Sequence, residues 1–182
     1  RMFFSRKGTK VNLVAGFPWF GRWGRDTFIS LPGLCIALDD WRMFRLAIDT
    51  MLEDFKDGFF PNIGEGTQAA YNSIDAPLWF FWALQQYAYI NDARKEVWQA
   101  YNGVMRSILE NFSEGTSNVR MDSNFLLWQG EDGKALTWMD AIVNGQPVTQ
   151  RKGYAVEINA LWYNAVMFYR ELAKLQCQDG EI

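Results

Sequence analysis

Along most of the chain the apolar residues return every three or four positions, the period of an α-helix that buries one face. Between Thr27 and Leu38 they fall at Phe28, Leu31, Leu34, Cys35 and Leu38. Asp26 is placed to cap this helix, and Pro32 to kink it or to mark where its regular part begins. A second stripe, Trp41, Phe44, Ile48, Met51, Leu52 and Phe55, follows a cap at Asp39 or Asp40. The connection between the two is only about two residues, which predicts an antiparallel hairpin. A third helix opens at Asp75-Ala76-Pro77, with a cap and then proline in the first turn, and carries Leu78, Phe81, Trp82, Leu84 and Tyr89. A fourth, over residues 93–112, buries Val97, Tyr101, Met105, Ile108 and Phe112, again after a short turn. The last, from near Tyr154 to about Leu175, presents Ile158, Leu161, Trp162, Ala165, Phe168, Leu172 and Leu175 on its apolar side.

The pattern breaks over residues 119–150. Phe125 to Trp128 is a short β-prone run, Glu131-Asp132-Gly133-Lys134 signals a turn, and Ala135 to Trp138 can return as the partner strand. The expected fold is therefore all-α, with one small β-hairpin near residues 125–138. Helix pair, long loop, helix pair is the rhythm of a toroid of helical hairpins, and it gathers the informative loops on one rim.

Length and composition narrow the function. The 182 residues fit a single domain, 1–182, able to bury a core, and with 49 % hydrophobic residues the chain folds rather than staying disordered. A net charge of −3, with no basic run longer than Arg6-Lys7, argues against nucleic acid as a partner. There is no histidine, which removes Ser-His-Asp and Cys-His machinery and the commonest zinc ligand. Any proton transfer falls to carboxylates, Lys or Tyr. No D-x-D-x-D-G spacing occurs, and neither metal nor cofactor is expected. Cys35 and Cys177 both sit in apolar helical patterns and read as buried free thiols of a cytoplasmic protein. No signal peptide and no membrane-length apolar run is seen. Arg1 and the closing CQDGEI are expected to be arbitrary cuts in a longer protein.

Four stretches could carry chemistry. WFGRWGRDTF (residues 19–28) crowds rings, arginines and an aspartate at a helix start. Its Gly-x-x-Gly meets neither phosphate fingerprint, and no strand is expected before it, so nucleotide binding is dismissed. Trp19, Phe20 and Trp23 stand beside Arg22, Arg25 and Asp26: either Asp26 caps a packed aromatic corner, or the stretch forms a sugar subsite with a ring to stack on and a guanidinium and a carboxylate to grip hydroxyls. Asp140 in Leu136-Thr137-Trp138-Met139-Asp140-Ala141 is either a turn residue or an acid whose pKa burial beside Trp138 raises. Glu157 lies in the first turns of the last helix, where negative charge is favoured in any case. Asp75 reads as a cap, and the run Asp54 to Asp57 as a solvated helix end.

The order of these stretches is more specific than any one of them. AGFPWFGRWGRDTFISLPGL, NSIDAPLWFFWAL, LTWMDA and GQPVTQRKGYAVEINALWYNA together resemble the amylo-α-1,6-glucosidase family, the glucosidase domain of glycogen debranching enzymes, from about Ala15 to Leu172. The resemblance implies about half of an (α/α)6 barrel, truncated at both ends, and hydrolysis of α-1,6-linked glucose at α-glucan branch stubs with inversion. It implies Asp140 as general acid, Arg25 and Asp26 as the pair gripping the terminal glucose, and Trp23 and Trp138 as walls. Asp75, Arg151 and Glu157 would line or brace the pocket. Inversion needs a second carboxylate roughly 6.5–9.5 Å from the acid, and the family pattern puts it downstream, beyond Ile182. The expected partners are an α-glucan and the remainder of the catalytic domain, with no membrane. Two other readings stay open: a non-catalytic α-glucan-binding module, and another (α/α)6 glycosidase such as a glucoamylase or trehalase.

Overall fold

A computed structural model describes residues 2–179. About half of the chain is helical, and the rest carries small antiparallel hairpins. All five expected helices form: α1 (Gly24–Leu38), α2 (Trp41–Leu52), α3 (Asp75–Ile90), α4 (Arg94–Glu114) and α5 (Val156–Asp179). α1 packs against α2 and α3 against α4, the two hairpins that the short turns predict, while α3 also packs on α1 and on α5. Both tight turns bend at an aspartate with positive φ, Asp39 (φ 48°) and Asp92 (φ 49°). Asp and Asn tolerate that region better than most residues because their short side chains bond locally. Asp40, not Asp39, caps α2: its carboxylate accepts from the Met43 N–H at 3.2 Å.

The interior is built from rings. Phe28 of α1, Phe60 of the α2–α3 connection and Phe80 of α3 meet with centroids 4.8, 5.0 and 5.5 Å apart. All three are fully buried, so the aromatic surplus is mostly core. Cys35 belongs to this core, where burial first and then Asp40 push its thiol up to about 12. Cys177, read as buried, is exposed. α1 runs unbroken through the buried Pro32, and its regular part begins eight residues before that proline.

The expectation of an all-α chain with one hairpin needs correction in two places. First, residues before Gly24 form a three-stranded antiparallel sheet in the order β1 (Phe4–Lys7), β2 (Lys10–Gly16), β3 (Phe20–Arg22). Strands therefore do precede WFGRWGRDTF, although they make a meander and the phosphate fingerprints are still unmet. β2 lies on α2, where the Val11 N–H donates to Thr50 Oγ1 at 2.9 Å. Val11 and Leu13 are the only apolar residues of this sheet that are buried, too short an alternation to stand out in the sequence.

Second, the hairpin near residues 125–138 is displaced upstream. β4 (Val119–Met121) pairs with β5 (Leu127–Gln129), and Phe125 sits in the turn at φ 64°. The predicted turn at Glu131–Lys134 forms, with the Lys134 N–H on the Glu131 carbonyl. Residues 135–138, however, do not return to β5. Gln129 exchanges backbone bonds with Gly153, and the Ile74 N–H takes the Leu136 carbonyl at 3.0 Å. That bond ties the TWMD segment to the start of α3. A two-residue pair, β6 (Ile142–Val143) with β7 (Gln146–Pro147), completes the segment. Among the described residues no helix is long and apolar enough to cross a membrane.

Candidate functional site

Helix direction decides where the chemistry gathers. α1, α3 and α5 start at the end where α2 and α4 finish, so the two long connections and the N-terminal sheet meet at one end of the helices. Trp23, Arg25 and Asp26 are delivered there by the β3–α1 junction. Gly24 makes this junction possible: a Cβ on it would lie 2.3 Å from the Pro61 carbonyl oxygen. The Gly24 N–H bonds the Asn62 carbonyl at 2.9 Å, and Trp23 bridges to Ile63, so the α2–α3 connection is stitched directly to the site.

A buried arginine clamps that connection. The Arg22 guanidinium donates through Nη2 to Asp54 Oδ2 at 2.5 Å and to the Gly64 carbonyl at 2.9 Å. Asp54 also accepts from the Gly66 N–H at 3.0 Å, and its carbonyl accepts from Tyr71 Oη at 2.7 Å. The reading of Asp54 as a solvated helix end is thus wrong. Its side chain is 19 % exposed and that of Arg22 only 4 %. The local pattern after α2 looks polar because it holds this clamp, and no local pattern names a partner 32 residues away.

Arg25 is the hub of the site. Its Nε donates to Asp75 Oδ2 at 2.6 Å and its Nη1 to Asp140 Oδ2 at 2.9 Å. Burial works against the guanidinium charge, but the bonds to Asp75 and then to Asp140 reverse this and hold its pKa above the usual value. Nη2 is buried and bonded to none of the described residues. Asp75 is almost fully buried and also accepts from Ser73 Oγ. It is not the cap of α3: it is the first helical residue, and Ser73 Oγ takes the Ala76 N–H at 3.2 Å. Asp26 likewise does not cap α1, which starts two residues earlier at Gly24.

A cleft of about 370 Å³ opens between these groups, lined by Ala15, Phe20, Trp23, Arg25, Asp26, Trp138 and Asp140. Five of the eight residues singled out in the sequence line it, and Asp75 braces it from behind through Arg25. Burial in the cleft wall is the main cause that holds the Asp26 carboxyl above its ordinary value, against the pull of Arg25. Trp138 is 57 % exposed, and the polar partner of Asp140 is Arg25 rather than the indole.

Arg151 and Glu157 form a second pair. Arg151 engages both Glu157 oxygens, Nη2 to Oε2 at 2.9 Å, and its Nη1 also reaches Thr137 Oγ1 at 3.4 Å. The bond from Arg151 lowers the Glu157 pKa most, burial opposes it, and Trp138 adds a smaller push in the same direction. This pair props the TWMD segment from the α5 side without lining the cleft. Sequence reasoning had Phe20 among the rings of the opening stretch without placing it at the site, and it passed over Ser73 as the support of Asp75 and Thr137 as the support of Arg151. A signal existed for Ser73, which stands where a cap would, three residues before Ala76.

The family model described as amylo-alpha-1,6-glucosidase matches residues 2–182. The chain is 25 % identical to the glycogen debranching enzyme of Saccharomyces cerevisiae over 93 % of its own length. It spans 16 % of that yeast protein. A match covering the sheet, the five helices and the cleft together identifies the chain as a member of the amylo-alpha-1,6-glucosidase family.

Proposed function

We propose that this chain supplies the sugar-holding cleft and the general acid of a glycoside hydrolase that releases α-1,6-linked glucose from α-glucan branch stubs. The observation that carries the reading is the convergence on one cleft of Arg25, Asp26 and Asp140 between the rings of Trp23 and Trp138. Rings with exposed faces suit the flat apolar faces of a pyranose, and a fixed guanidinium beside carboxylates suits its hydroxyls. In this reading, which follows the family resemblance, Asp140 is the acid and Asp26 grips the glucose; both line the cleft, whereas Asp75 is sealed beneath Arg25 and Glu157 lies outside the lining on Arg151.

The five helices form part of an (α/α)6 toroid, and residues 1–182 form part of one catalytic domain. The reaction inverts, and the base that activates water comes from the parent protein outside these residues, roughly 6.5–9.5 Å from the Asp140 carboxyl. Glu157 is not that base, because its carboxylate is engaged on both oxygens by Arg151.

The test uses the full-length parent protein and a glycogen limit dextrin. Asp140→Asn is expected to cut glucose release by at least a thousandfold while leaving the circular dichroism spectrum and maltooligosaccharide binding in place. Release at more than about a tenth of the parent rate would overturn the acid assignment. Binding without release by the unaltered full-length protein would instead favour a glucan-binding module.

A further inference from the structure

The cleft accounts for Phe20 and Trp23 but not for the turn that carries them. Between β2 and β3 run Phe17, Pro18 and Trp19, all exposed, with the Trp19 ring 84 % open to solvent. This is the most exposed large hydrophobic side chain described. A tip reading Phe-Pro-Trp-Phe has no charged group to attract an anion. Its position is fixed by β pairing: Gly16 lies opposite Phe20, and a Cβ on Gly16 would come within 2.8 Å of the Phe20 ring. Phe20 in turn meets Trp23 edge-on at 6.2 Å. Trp19 thus directly precedes a cleft-lining residue, with α-carbons about 3.8 Å apart, and stands exposed at the turn that leads into the cleft wall.

We infer that Trp19, seconded by Phe17, is an outer contact for an α-glucan chain, stacking on glucose units that lie beyond the one held in the cleft. This rests on the sugar reading of the cleft. A cleft of about 370 Å³ holds little more than one or two sugar rings, so any longer glucan must leave across its rim. An exposed indole beside that exit presents a broad, rigid, amphipathic face at little conformational cost.

The experiment is calorimetric titration of the full-length parent protein with glucose, maltotriose and maltoheptaose, repeated for Trp19→Ala, Trp19→Phe and Asp26→Ala. Trp19 buries little, so its truncation leaves the fold standing. Trp19→Ala is expected to weaken maltoheptaose about fivefold or more, as loss of a Trp anchor does, with glucose affinity unchanged and Trp19→Phe intermediate. An undiminished gain of affinity with chain length in Trp19→Ala overturns the proposal. So does a change in stability or oligomeric state in place of the length effect, which would mean that another part of the parent protein or a second copy covers the tip. Failure of the cleft reading shows differently: Asp26→Ala would then leave every ligand's affinity unchanged.

Discussion

Two arginines brace the TWMD segment from opposite sides, and they do so in different media. Arg25 has a side chain 9 % exposed and is shared between Asp75, at 2 %, and Asp140, at 25 %. Arg151 is 25 % exposed and serves Glu157, at 33 %. Both were legible as charged positions near the candidate site, and both are paired to carboxylates. Water makes the difference. A buried charge that loses its partner has no solvent to fall back on, whereas a surface pair exchanges its partner for water at little cost. The Arg25 side should therefore behave as architecture and chemistry at once, and the Arg151 side as adjustment.

The sharpest way to break this contrast is to remove the buried partner of Arg25. Asp75→Asn, which leaves Arg25 with Asp140 alone, should destabilise the protein by about 3 kcal/mol in urea denaturation and abolish maltooligosaccharide binding. A loss no larger than that of the surface pair would remove the distinction. Next comes the clamp behind the site, where Asp54→Asn leaves Arg22 without its charged partner. A cost of about 2 kcal/mol is expected, together with loosening of the residues 61–71 connection, read as faster amide exchange at Asn62 and Ala70. Protection equal to the parent's would show that the backbone stitches alone hold the loop. Arg151→Lys or Glu157→Gln should each cost no more than about 1 kcal/mol, and the cost should shrink with added salt.

The smallest effects have opposite signs in pH. Glu157 titrates below its ordinary 4.5, so the stability it contributes is present above 4.5 and is lost as pH falls through its lowered folded value. Asp26 titrates above its ordinary 3.8, so its contribution is present below 3.8 and is lost as pH rises through its raised folded value. Thermal melts should find Asp26→Asn as stable as the parent in strong acid and more stable at neutral pH. Glu157→Gln should lose most at neutral pH and converge with the parent in acid. A stabilising substitution at Asp26 that also weakens glucose binding is the signature of a carboxylate kept for the ligand at the expense of the fold.

The helices were readable because each is specified locally, by apolar residues at helical spacing, by two-residue turns and by caps. Their bounds fell within a few residues of those expected. The hairpin was misplaced because a β-prone run does not name its partner. Phe125 to Trp128 could pair forward or backward, and the choice went to Val119–Met121 once Leu136 was taken by Ile74 and Gln129 by Gly153. Asp26 and Asp75 each stood where a cap would stand, so the cap reading was natural. Only the partner of Asp75, 50 positions earlier in the chain, reveals its work. Asp54 was passed over for the same reason.

By itself, then, the sequence determined five helices in two hairpins plus a long final one, an aromatic interior, and the gathering of the polar loops at one end. It also determined which residue types stood ready for sugar chemistry, since the lack of histidine left carboxylates to move protons. The order of four motifs determined the family. Tertiary structure decided which of those charges meet. It sealed Asp75 under Arg25, left Asp140 at the cleft wall on the same guanidinium, set Glu157 aside on Arg151, and turned Asp54 into the anchor of a buried clamp. Periodicity and capping act over three or four residues, within reach of a local pattern. A guanidinium shared by carboxylates 50 and 115 positions away depends on how helices and loops pack, and that pairing exists only in the folded chain.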